Sequence, residues 1–277
     1  MKIIPQIYRR LPKRIRAKTN KLYKHLPGRK KLVTTIDGIT YDLDLRTVVH
    51  AQIYYYGCWE PDTTKIINKV VKEGMTVFDI GASTGPHALR MAKLVGKGGK
   101  VYAFEPSTEL FPDLVHMKAL NGFTNIEAEC IALSDKIEEK IYYTNTLFRL
   151  GDEEKKAEDR MTMFDTLDNY IEKHRIKNID FVKIDVDGLE TKIIKGGYKS
   201  IKKFKPIMIV EFSKGAQEHY GGSIKELKDT LESLGYHFYN VKNLLEYASI
   251  LHSVPETGSI NVLCLHGGGD ATAKINS

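Results

Sequence analysis

Short hydrophobic runs alternate along the chain with longer segments whose apolar residues recur at helical spacing. The alternation begins near residue 76 and continues to about residue 265. It predicts an α/β domain built on a mainly parallel sheet. Its predicted core strands lie near residues 77–80, 100–104, 125–131, 178–184, 206–210, 235–240 and 260–265.

The stretch VFDIGASTG, residues 77–85, predicts a strand, a glycine turn and the start of a helix. Gly81 and Gly85 allow a sharp turn and leave room for a ligand near the free N–H groups of the helix. The stretch is not a dinucleotide fingerprint, because Ser83 and a proline replace its second and third glycines. The carboxylate of Asp79 favours a cationic ligand, such as the sulfonium and ammonium groups of S-adenosylmethionine (SAM). A purely structural turn is the alternative.

Acidic residues follow the predicted strands, at the edge where α/β sheets bind ligands. Glu105 follows the second strand, where a carboxylate can accept hydrogen bonds from both hydroxyls of a ribose. Asp185 and Asp187 follow the fourth strand and Glu211 the fifth, which makes them candidates for a catalytic base. Asp187 could instead cap the next helix. Asp185 and Asp187 have no evident third partner for a divalent metal, so no metal site is predicted.

Residues 32–72 precede the predicted α/β domain and predict a small hairpin followed by a lid or helix segment. Asp37-Gly38 separates two alternating runs, which is a strong hairpin signal. The aromatic side chains of residues 54–59 form a lid or acceptor wall, or they fill the seam between the hairpin and the core. Pro61 predicts the start of a helix.

Two further segments depart from the α/β alternation of the main domain, residues 73–265. Residues 136–163 predict an insertion on the acceptor side, with a strand at 140–147 and a charged loop at 151–160. Residues 266–277 contain few apolar side chains and predict a disordered tail.

Positive charge is concentrated at the N-terminus. Residues 1–31 contain twelve Lys or Arg and no Asp or Glu, which leaves 30 basic and 35 acidic residues in the rest of the chain. The apolar residues of this arm fall near helical spacing. A basic amphipathic arm can bind an anionic membrane surface, pack on the domain or bind nucleic acid. The arm lacks an aromatic stacking platform, which argues against nucleic acid.

Composition limits the remaining possibilities. The chain of 277 residues is 42% hydrophobic, enough for one large core. Its cysteines, Cys58, Cys130 and Cys264, have no paired spacing, so neither a disulfide framework nor a zinc site is predicted, and a cytoplasmic location fits. The sequence has no apolar stretch of about 18 residues that would predict a membrane span.

Six motifs in order, VFDIGASTG, AFEP, IALSD, TLD, DFVKIDVDGLE and IMIVEF, resemble the FkbM-type family of SAM-dependent methyltransferases. YYYGCWEP before them is similar to the family's opening segment, and the resemblance covers roughly residues 39–212. It implies a Rossmann-like class I methyltransferase fold, a seven-stranded mainly parallel sheet with helices on both faces. The implied strand order is 3-2-1-4-5-7-6, with the last strand antiparallel.

The resemblance also implies a cofactor site and a transfer site. It assigns Asp79, Gly81, Ser83 and Gly85 to the methionine part of SAM, Glu105 to the ribose, and the region of Ile131 and Ala132 to adenine. Asp185 and its neighbours would lie at the transfer site. The sequence departs from the family twice, because Ser83 replaces a frequent Asn and Asp187 replaces a Glu.

These features predict a SAM-dependent O-methyltransferase that acts on a hydroxyl of a sugar, glycan or glycolipid, at the surface of a membrane if the arm binds there. A neutral hydroxyl is a poor nucleophile, so a base is needed; Asp185, Asp187 and Glu211 are the candidates. Two alternatives stay open. One is N-methylation of a nucleic acid or protein, and the other is a non-catalytic adaptor whose arm is the functional part.

Overall fold

The computed structural model describes residues 31–143 and 159–276. The predicted basic arm, apart from Lys31, and the centre of the predicted 136–163 insertion lie outside the described residues. In chain order the strands are β1 (Lys31–Ile36), β2 (Ile39–Asp44), β3 (Thr76–Ile80), β4 (Lys100–Phe104), β5 (Ile126–Glu129), β6 (Ala132–Ser134), β7 (Glu138–Tyr143), β8 (Asp159–Thr166), β9 (Phe181–Ile184), β10 (Ile207–Ser213), β11 (Tyr236–Asn240) and β12 (Ser259–His266).

The described helices lie mostly between these strands. They are α1 (Val48–Tyr56), α2 (Pro61–Val70), α3 (Pro86–Val95), α4 (Phe111–Leu120), α5 (Leu167–Lys173), α6 (Glu190–Gly196), α7 (Tyr198–Phe204), α8 (Lys214–His219), α9 (Ile224–Ser233), α10 (Ile250–Ser253) and α11 (Ala271–Asn276). Among the described residues, none of these helices has the length and apolar character to cross a membrane.

The central sheet has seven strands in the order β5-β4-β3-β9-β10-β12-β11. Neighbouring strands are parallel except at β12, which pairs antiparallel with both β10 and β11. This arrangement confirms the predicted order and the antiparallel last strand. The parallel strands therefore end at one edge of the sheet, and β12 begins at that same edge.

Apolar side chains cover both faces of the central sheet, as expected when helices pack on each side. One cluster contains Phe78, Phe104 and Val182, and the other contains Val77, Val101 and Phe181. Successive residues along a strand thus point alternately into the two cores. Both cores position the strand ends that carry the acidic residues.

The N-terminal hairpin is present as predicted, with β1 and β2 paired from Lys31↔Asp44 to Ile36↔Ile39. Asp37 and Gly38 both have positive φ, 50° and 70°, as a two-residue turn of this hand requires. The predicted helix after Pro61 is α2, whereas α1 was not predicted. In α1, Tyr55 is buried, and Trp59, which follows α1, packs against the second core cluster.

The charged loop predicted for residues 151–160 is wrong at its C-terminal end, because β8 begins at Asp159. This strand joins β6 and β7 in a separate three-stranded sheet. Its side chains alternate in an unusual sense: Met161 and Met163 are exposed, while Thr162 and Phe164 are buried. An exposed methionine beside a buried threonine hides the polar and apolar alternation that marks a strand.

The predicted disordered tail is wrong for residues 271–276, which form α11. Ala271 and Ile275 lie four residues apart on one face of this helix, and both are buried. The helix contacts α2, and the hydroxyl of Tyr239 donates to the Gly269 carbonyl. Two well-placed apolar side chains are enough to dock this short segment.

Candidate active site

The glycine turn between β3 and α3 lies directly against the loop that follows β9. The backbone N–H groups of Gly81 and Ala82 both donate to the Phe104 carbonyl, at 3.0 and 2.9 Å. Gly81 has φ +85°, and a Cβ atom there would lie 1.8 Å from the Asp185 carbonyl oxygen. The sequence analysis related Gly81 to a turn and to a nearby ligand. The structure shows that the protein's own backbone also requires a glycine.

Gly85 and Ser83 complete the turn. Gly85 has φ +92°, and an added Cβ would lie 2.6 Å from the side chain of Leu114. Ser83 has φ 52°, a left-handed conformation in which Asn is much more common than Ser. This explains physically why Asn would suit the position at which the sequence departs from the family.

Glu105 follows β4 and is held by two backbone amides. Its Oε2 accepts from the Ser83 N–H and its Oε1 from the Ser107 N–H, both at 2.8 Å. Burial raises the pKa of Glu105 to about 7, although these two hydrogen bonds oppose the shift. Each carboxylate oxygen keeps a second lone pair, so the oriented side chain can still accept the two hydroxyls of a ribose.

Asp79 lies within β3 and is fully buried. Neither of its carboxylate oxygens has a hydrogen-bond partner of normal geometry among the described residues, although the Ala88 backbone N–H makes a weaker contact with this side chain. Burial raises the pKa of Asp79, while the charges of Lys183 and His87 oppose that rise. A buried carboxylate with so little hydrogen bonding fits a cationic ligand group, because such a group would favour its ionised form.

Ile131 and Ala132 lie where the chain leaves the central sheet. Ile131 follows the last residues of β5 and is half-buried against the first core cluster, and Ala132 begins β6 and is buried. The Glu129 carbonyl accepts from the Glu105 N–H at 3.1 Å, which places this segment beside the proposed ribose ligand. Two small or aliphatic side chains at this point provide an apolar surface of the kind a purine ring packs against.

Asp185 and Lys183 form an ion pair at the end of β9. Lys183 Nζ donates to Asp185 Oδ2 at 2.8 Å; the Lys183 side chain is 2% exposed and that of Asp185 21% exposed. Burial opposes the charge on Lys183, but Asp185, Asp79 and Glu60 together raise its pKa above the usual value. The pair therefore places one oxygen of Asp185 against a fixed cation and leaves the side chain partly open to the crevice.

Glu211, within β10, faces Asn261 across the antiparallel pair of β10 and β12. Glu211 Oε2 and Asn261 Oδ1 are buried and have no hydrogen-bond partner among the described residues. Burial and the nearby charge of Asp185 raise the pKa of Glu211 well above its usual range. Its carboxyl group therefore holds a proton at neutral pH, and the two residues form a polar wall next to Asp185.

Asp187 and Glu190 have different roles in the loop after β9. Asp187 is exposed, with φ 54°. The N-cap position of the following helix, α6, is Leu189 and not Asp187. Glu190 is fully buried, and its Oε1 accepts from the N–H groups of Val186 and Gly188, which holds the loop in place.

The structure adds Glu60 to the site. Glu60 Oε2 lies 3.1 Å from His87 Nε2, and Glu60 Oε1 accepts from Asn261 Nδ2 at 2.8 Å. Burial disfavours the charge on Glu60, but the hydrogen bond with His87 and the charge of Lys183 hold its pKa well below the usual range. Glu60 thus joins the segment before the core to α3 and to β12.

His50 makes a second connection of the same kind. Its Nδ1 accepts from the Asp44 N–H at 2.9 Å, so its proton lies on Nε2, which donates to Thr84 Oγ1 at 3.2 Å. Thr84 belongs to the glycine turn. The segment from β2 to α2 is therefore fastened to both the turn and the crevice, and the sequence offered no spacing signal for either contact.

Comparison with known proteins assigns the family. Residues 79–238 match the Methyltransferase FkbM domain family. The chain belongs to the FkbM methyltransferase family. The matched range begins at Asp79, near the end of β3, and contains the parallel strands β4, β5, β9 and β10 in full, so the resemblance predicted from the motifs is confirmed.

Other proteins are similar over smaller parts or at lower identity. A protein-L-isoaspartate O-methyltransferase of Methanococcoides burtonii is 38% identical over 60 residues, which cover 20% of this chain and 28% of that protein. A Methylobacillus flagellatus FkbM methyltransferase structure is 13% identical with a TM-score of 0.45, covering 76% of this chain and 52% of that one. A putative rRNA methylase from Clostridium thermocellum is 14% identical with a TM-score of 0.46, covering 73% of this chain and 92% of that one. The family assignment depends on the domain match.

As an FkbM methyltransferase, the protein is a SAM-dependent enzyme. SAM supplies a methyl group on a positively charged sulfur. The buried carboxylate of Asp79 and the oriented carboxylate of Glu105 fit the cationic and ribose parts of this cofactor. Their assignment to particular cofactor atoms, like those of Gly81, Ser83, Gly85, Ile131 and Ala132, stays a prediction.

Proposed function

We propose that this methyltransferase transfers the methyl group of SAM to a hydroxyl of a sugar, glycan or glycolipid. The observation that carries the proposal is the pair of acidic residues at adjacent strand ends, Asp185 beside β9 and Glu211 in β10. Gly81 packs on the Asp185 carbonyl, so this pair lies next to the predicted cofactor turn. A hydroxyl acceptor needs a proton acceptor at this point, because a neutral alcohol is a weak nucleophile.

Asp185 is the proposed base. Lys183 bonds to its Oδ2, which leaves Oδ1 to accept the hydroxyl proton in the crevice. Holding the carboxylate by one oxygen limits its rotation, and a fixed base is aligned with the acceptor before transfer. Glu211, which keeps its proton at neutral pH, can donate a hydrogen bond to an acceptor oxygen, and Asn261 Oδ1 can accept one from a neighbouring hydroxyl.

This combination of donor and acceptor groups suits a polyhydroxyl compound. Each sugar hydroxyl both donates and accepts, so it can bond to a protonated carboxyl and to an amide oxygen at once. An amide nitrogen as methyl acceptor needs a different environment. The sequence after β9 reads Asp-Val-Asp-Gly, not the Asn-Pro-Pro-Tyr type of segment that binds planar amide groups in N-methyltransferases.

The N-terminal arm supports an acceptor at a membrane surface. Its twelve basic residues without one acid would attract anionic lipid headgroups, each cation contributing about 1 kcal/mol near the surface. A glycolipid would present its sugar at that surface. We therefore place the enzyme on the cytoplasmic face of the membrane in this proposal.

The test uses SAM with a radiolabelled methyl group and three acceptor fractions, namely glycolipids, RNA and total protein. We expect label in the glycolipid fraction that survives mild alkali, because a sugar methyl ether is stable where a carboxyl methyl ester is hydrolysed. The full-length Asp185→Asn variant provides the inactive control. Label confined to RNA or protein, or label released by alkali, would overturn the proposal.

A further inference from the structure

A cavity of about 420 Å³ lies beside the N-terminal hairpin. It is bounded by Ile36 and Asp37 of the hairpin, by the residues that follow α1, by one face of α2 and by Arg90 of α3. Neither the proposed SAM site nor the proposed acceptor site uses these side chains. The cavity therefore needs an explanation of its own.

The charged residues of this cavity are mostly cations. Lys65, Lys69 and Arg90 line it together with one carboxylate, Asp37, which leaves an excess of two positive charges. Arg90 is 8% exposed, and one of its terminal nitrogens donates to Asp37 Oδ2 at 3.1 Å. Asp37 is itself 65% exposed at its side chain, so it neutralises Arg90 from the open side of the cavity.

Lys65 and Lys69 are one helical turn apart on α2. Like charges at this spacing disfavour a helix. Neither lysine forms an ion pair or hydrogen bond with any of the described residues, although Asp62 lies in the same helix.

We infer that this cavity binds a phosphate group, carried either by a phospholipid headgroup or by a soluble phosphorylated compound. Two lysine ammonium groups supply point charges, and the guanidinium of Arg90 supplies a planar set of donors for two oxygens of a tetrahedral anion. Asn68, exposed between the two lysines, adds an amide donor on the same rim. A bound phosphate would take the place of the Asp37 carboxylate at Arg90.

The single tryptophan of the chain reports on this site directly. Trp59 follows Gly57 and Cys58, which line the cavity, and it is partly buried in the adjacent core. Its fluorescence is followed in the full-length protein during titration with inorganic phosphate and with glycerol 3-phosphate, at constant ionic strength. Chloride, added as its sodium salt, is the control anion. We expect a saturable change in fluorescence with both phosphates.

Three full-length variants test the assignment. Lys65→Gln with Lys69→Gln should weaken phosphate binding at least about tenfold, because two charge-assisted contacts are lost. Lys72→Gln removes an exposed lysine just beyond α2 and should change nothing. Asp37→Asn keeps a turn residue that tolerates positive φ, removes the competing carboxylate and should tighten binding several-fold.

Vesicles separate the two sources of phosphate. Phosphatidylglycerol and phosphatidylcholine vesicles are compared at a salt concentration that suppresses diffuse attraction by the basic arm. If less protein is retained on phosphatidylglycerol vesicles in the double variant, and also in excess glycerol 3-phosphate, the ligand is a lipid headgroup. If retention is unchanged but the protein still binds glycerol 3-phosphate, the ligand is a soluble compound. The inference is overturned if the double variant and Lys72→Gln bind glycerol 3-phosphate equally well, or if Asp37→Asn does not bind it more tightly.

Discussion

Asp185 is the residue through which the proposed chemistry is tested most directly. Asp185→Asn keeps the size of the side chain and removes its charge, so turnover should fall by roughly 10²- to 10⁴-fold. Lys183 then loses its closest counter-charge inside the core, so the free energy of unfolding should also fall by a few kcal/mol. Single-turnover methylation of the glycolipid fraction, well below the melting temperature, measures the first effect, and denaturant unfolding measures the second.

The matched control for this prediction is Asp187→Asn. Asp187 is two residues away, exposed and not at the N-cap of α6, so its substitution should leave both stability and SAM affinity nearly unchanged. If Asp185→Asn turns over at a near-native rate at saturating SAM, Asp185 is not the base. Glu211 would then be the next residue to substitute.

Glu105 gives a prediction about pH. Its pKa of about 7 means that the free protein carries this carboxyl largely protonated at about pH 6. Ribose hydroxyls that donate to it favour the ionised form, so SAM binding should release up to about one proton at that pH. SAM affinity should therefore rise as the pH increases through 7 and then level off. Calorimetry in buffers of different ionisation enthalpy measures the proton release.

Glu105→Gln should weaken SAM by roughly 1.5–3 kcal/mol and remove most of the pH dependence. Glu109→Gln, four residues further along and exposed, is the control and should do neither. A pH dependence that survives in Glu105→Gln would move the proton release to the other buried carboxylate of the cofactor region, Asp79.

At the level of the elements, the contact between the glycine turn and the loop after β9 has a clear mutational signature. In Gly81→Ala the new Cβ would overlap the Asp185 carbonyl, and it would do so at a positive φ that alanine disfavours. One segment must shift, so SAM affinity and the position of Asp185 change together. We expect a stability loss of about 2 kcal/mol or more, with SAM binding and turnover both reduced.

Gly122→Ala is the comparison variant. Gly122 also has positive φ, 63°, but an added Cβ there meets no atom within 4 Å. Gly122→Ala therefore measures the loss of stability caused by positive φ alone, without any overlap between the new Cβ and another atom. Equal SAM affinity in Gly81→Ala and Gly122→Ala would show that the turn and the loop can move independently.

Elements with consistent local patterns were predictable from the sequence. The apolar parallel strands, the Asp37-Gly38 hairpin and the helix after Pro61 all occur where the pattern indicated them. Strand β8 was missed because its exposed face carries Met161 and Met163. Helix α11 was missed because a single buried isoleucine, Ile275, anchors a segment that is otherwise small and polar.

The part of the site that depends on strand order alone was predictable from the sequence. Parallel strands end at one edge, so Asp185, Glu211 and Glu105 could be brought together from strand order alone. Glu60 and Asn261 could not, because 201 residues separate them and their contact depends on how the segment before the core folds over the sheet. No periodicity or spacing encodes such a contact.

At the scale of the whole molecule, the opposite charges of the arm and the rest of the chain give a further prediction. Since β1 begins at Lys31, deletion of residues 1–30 leaves the hairpin intact. The shortened protein should lose binding to anionic vesicles and keep SAM binding, and vesicle binding by the full chain should weaken with added salt. Sedimentation with vesicles measures the first property and calorimetry the second.

Full retention of the shortened protein on vesicles would assign membrane binding to another surface. In that case the Lys65 and Lys69 double variant, made in the shortened chain, should remove the remaining binding if the cavity beside α2 is responsible. Removing the arm thus tests general electrostatic attraction to the vesicle, and the double variant tests binding at the cavity.

Strand β12 is antiparallel to its neighbours and so brings its first residues, not its last, to the edge of the sheet that carries Asp185. Asn261 reaches the proposed acceptor wall from that end, after the turn segment that follows α10. The residues predicted to hold SAM lie mainly in and after β3 and β4, whereas this part of the proposed acceptor wall lies near the end of the chain. Substitutions in residues 254–261 could therefore change the acceptor over the course of evolution while the predicted SAM site stays the same.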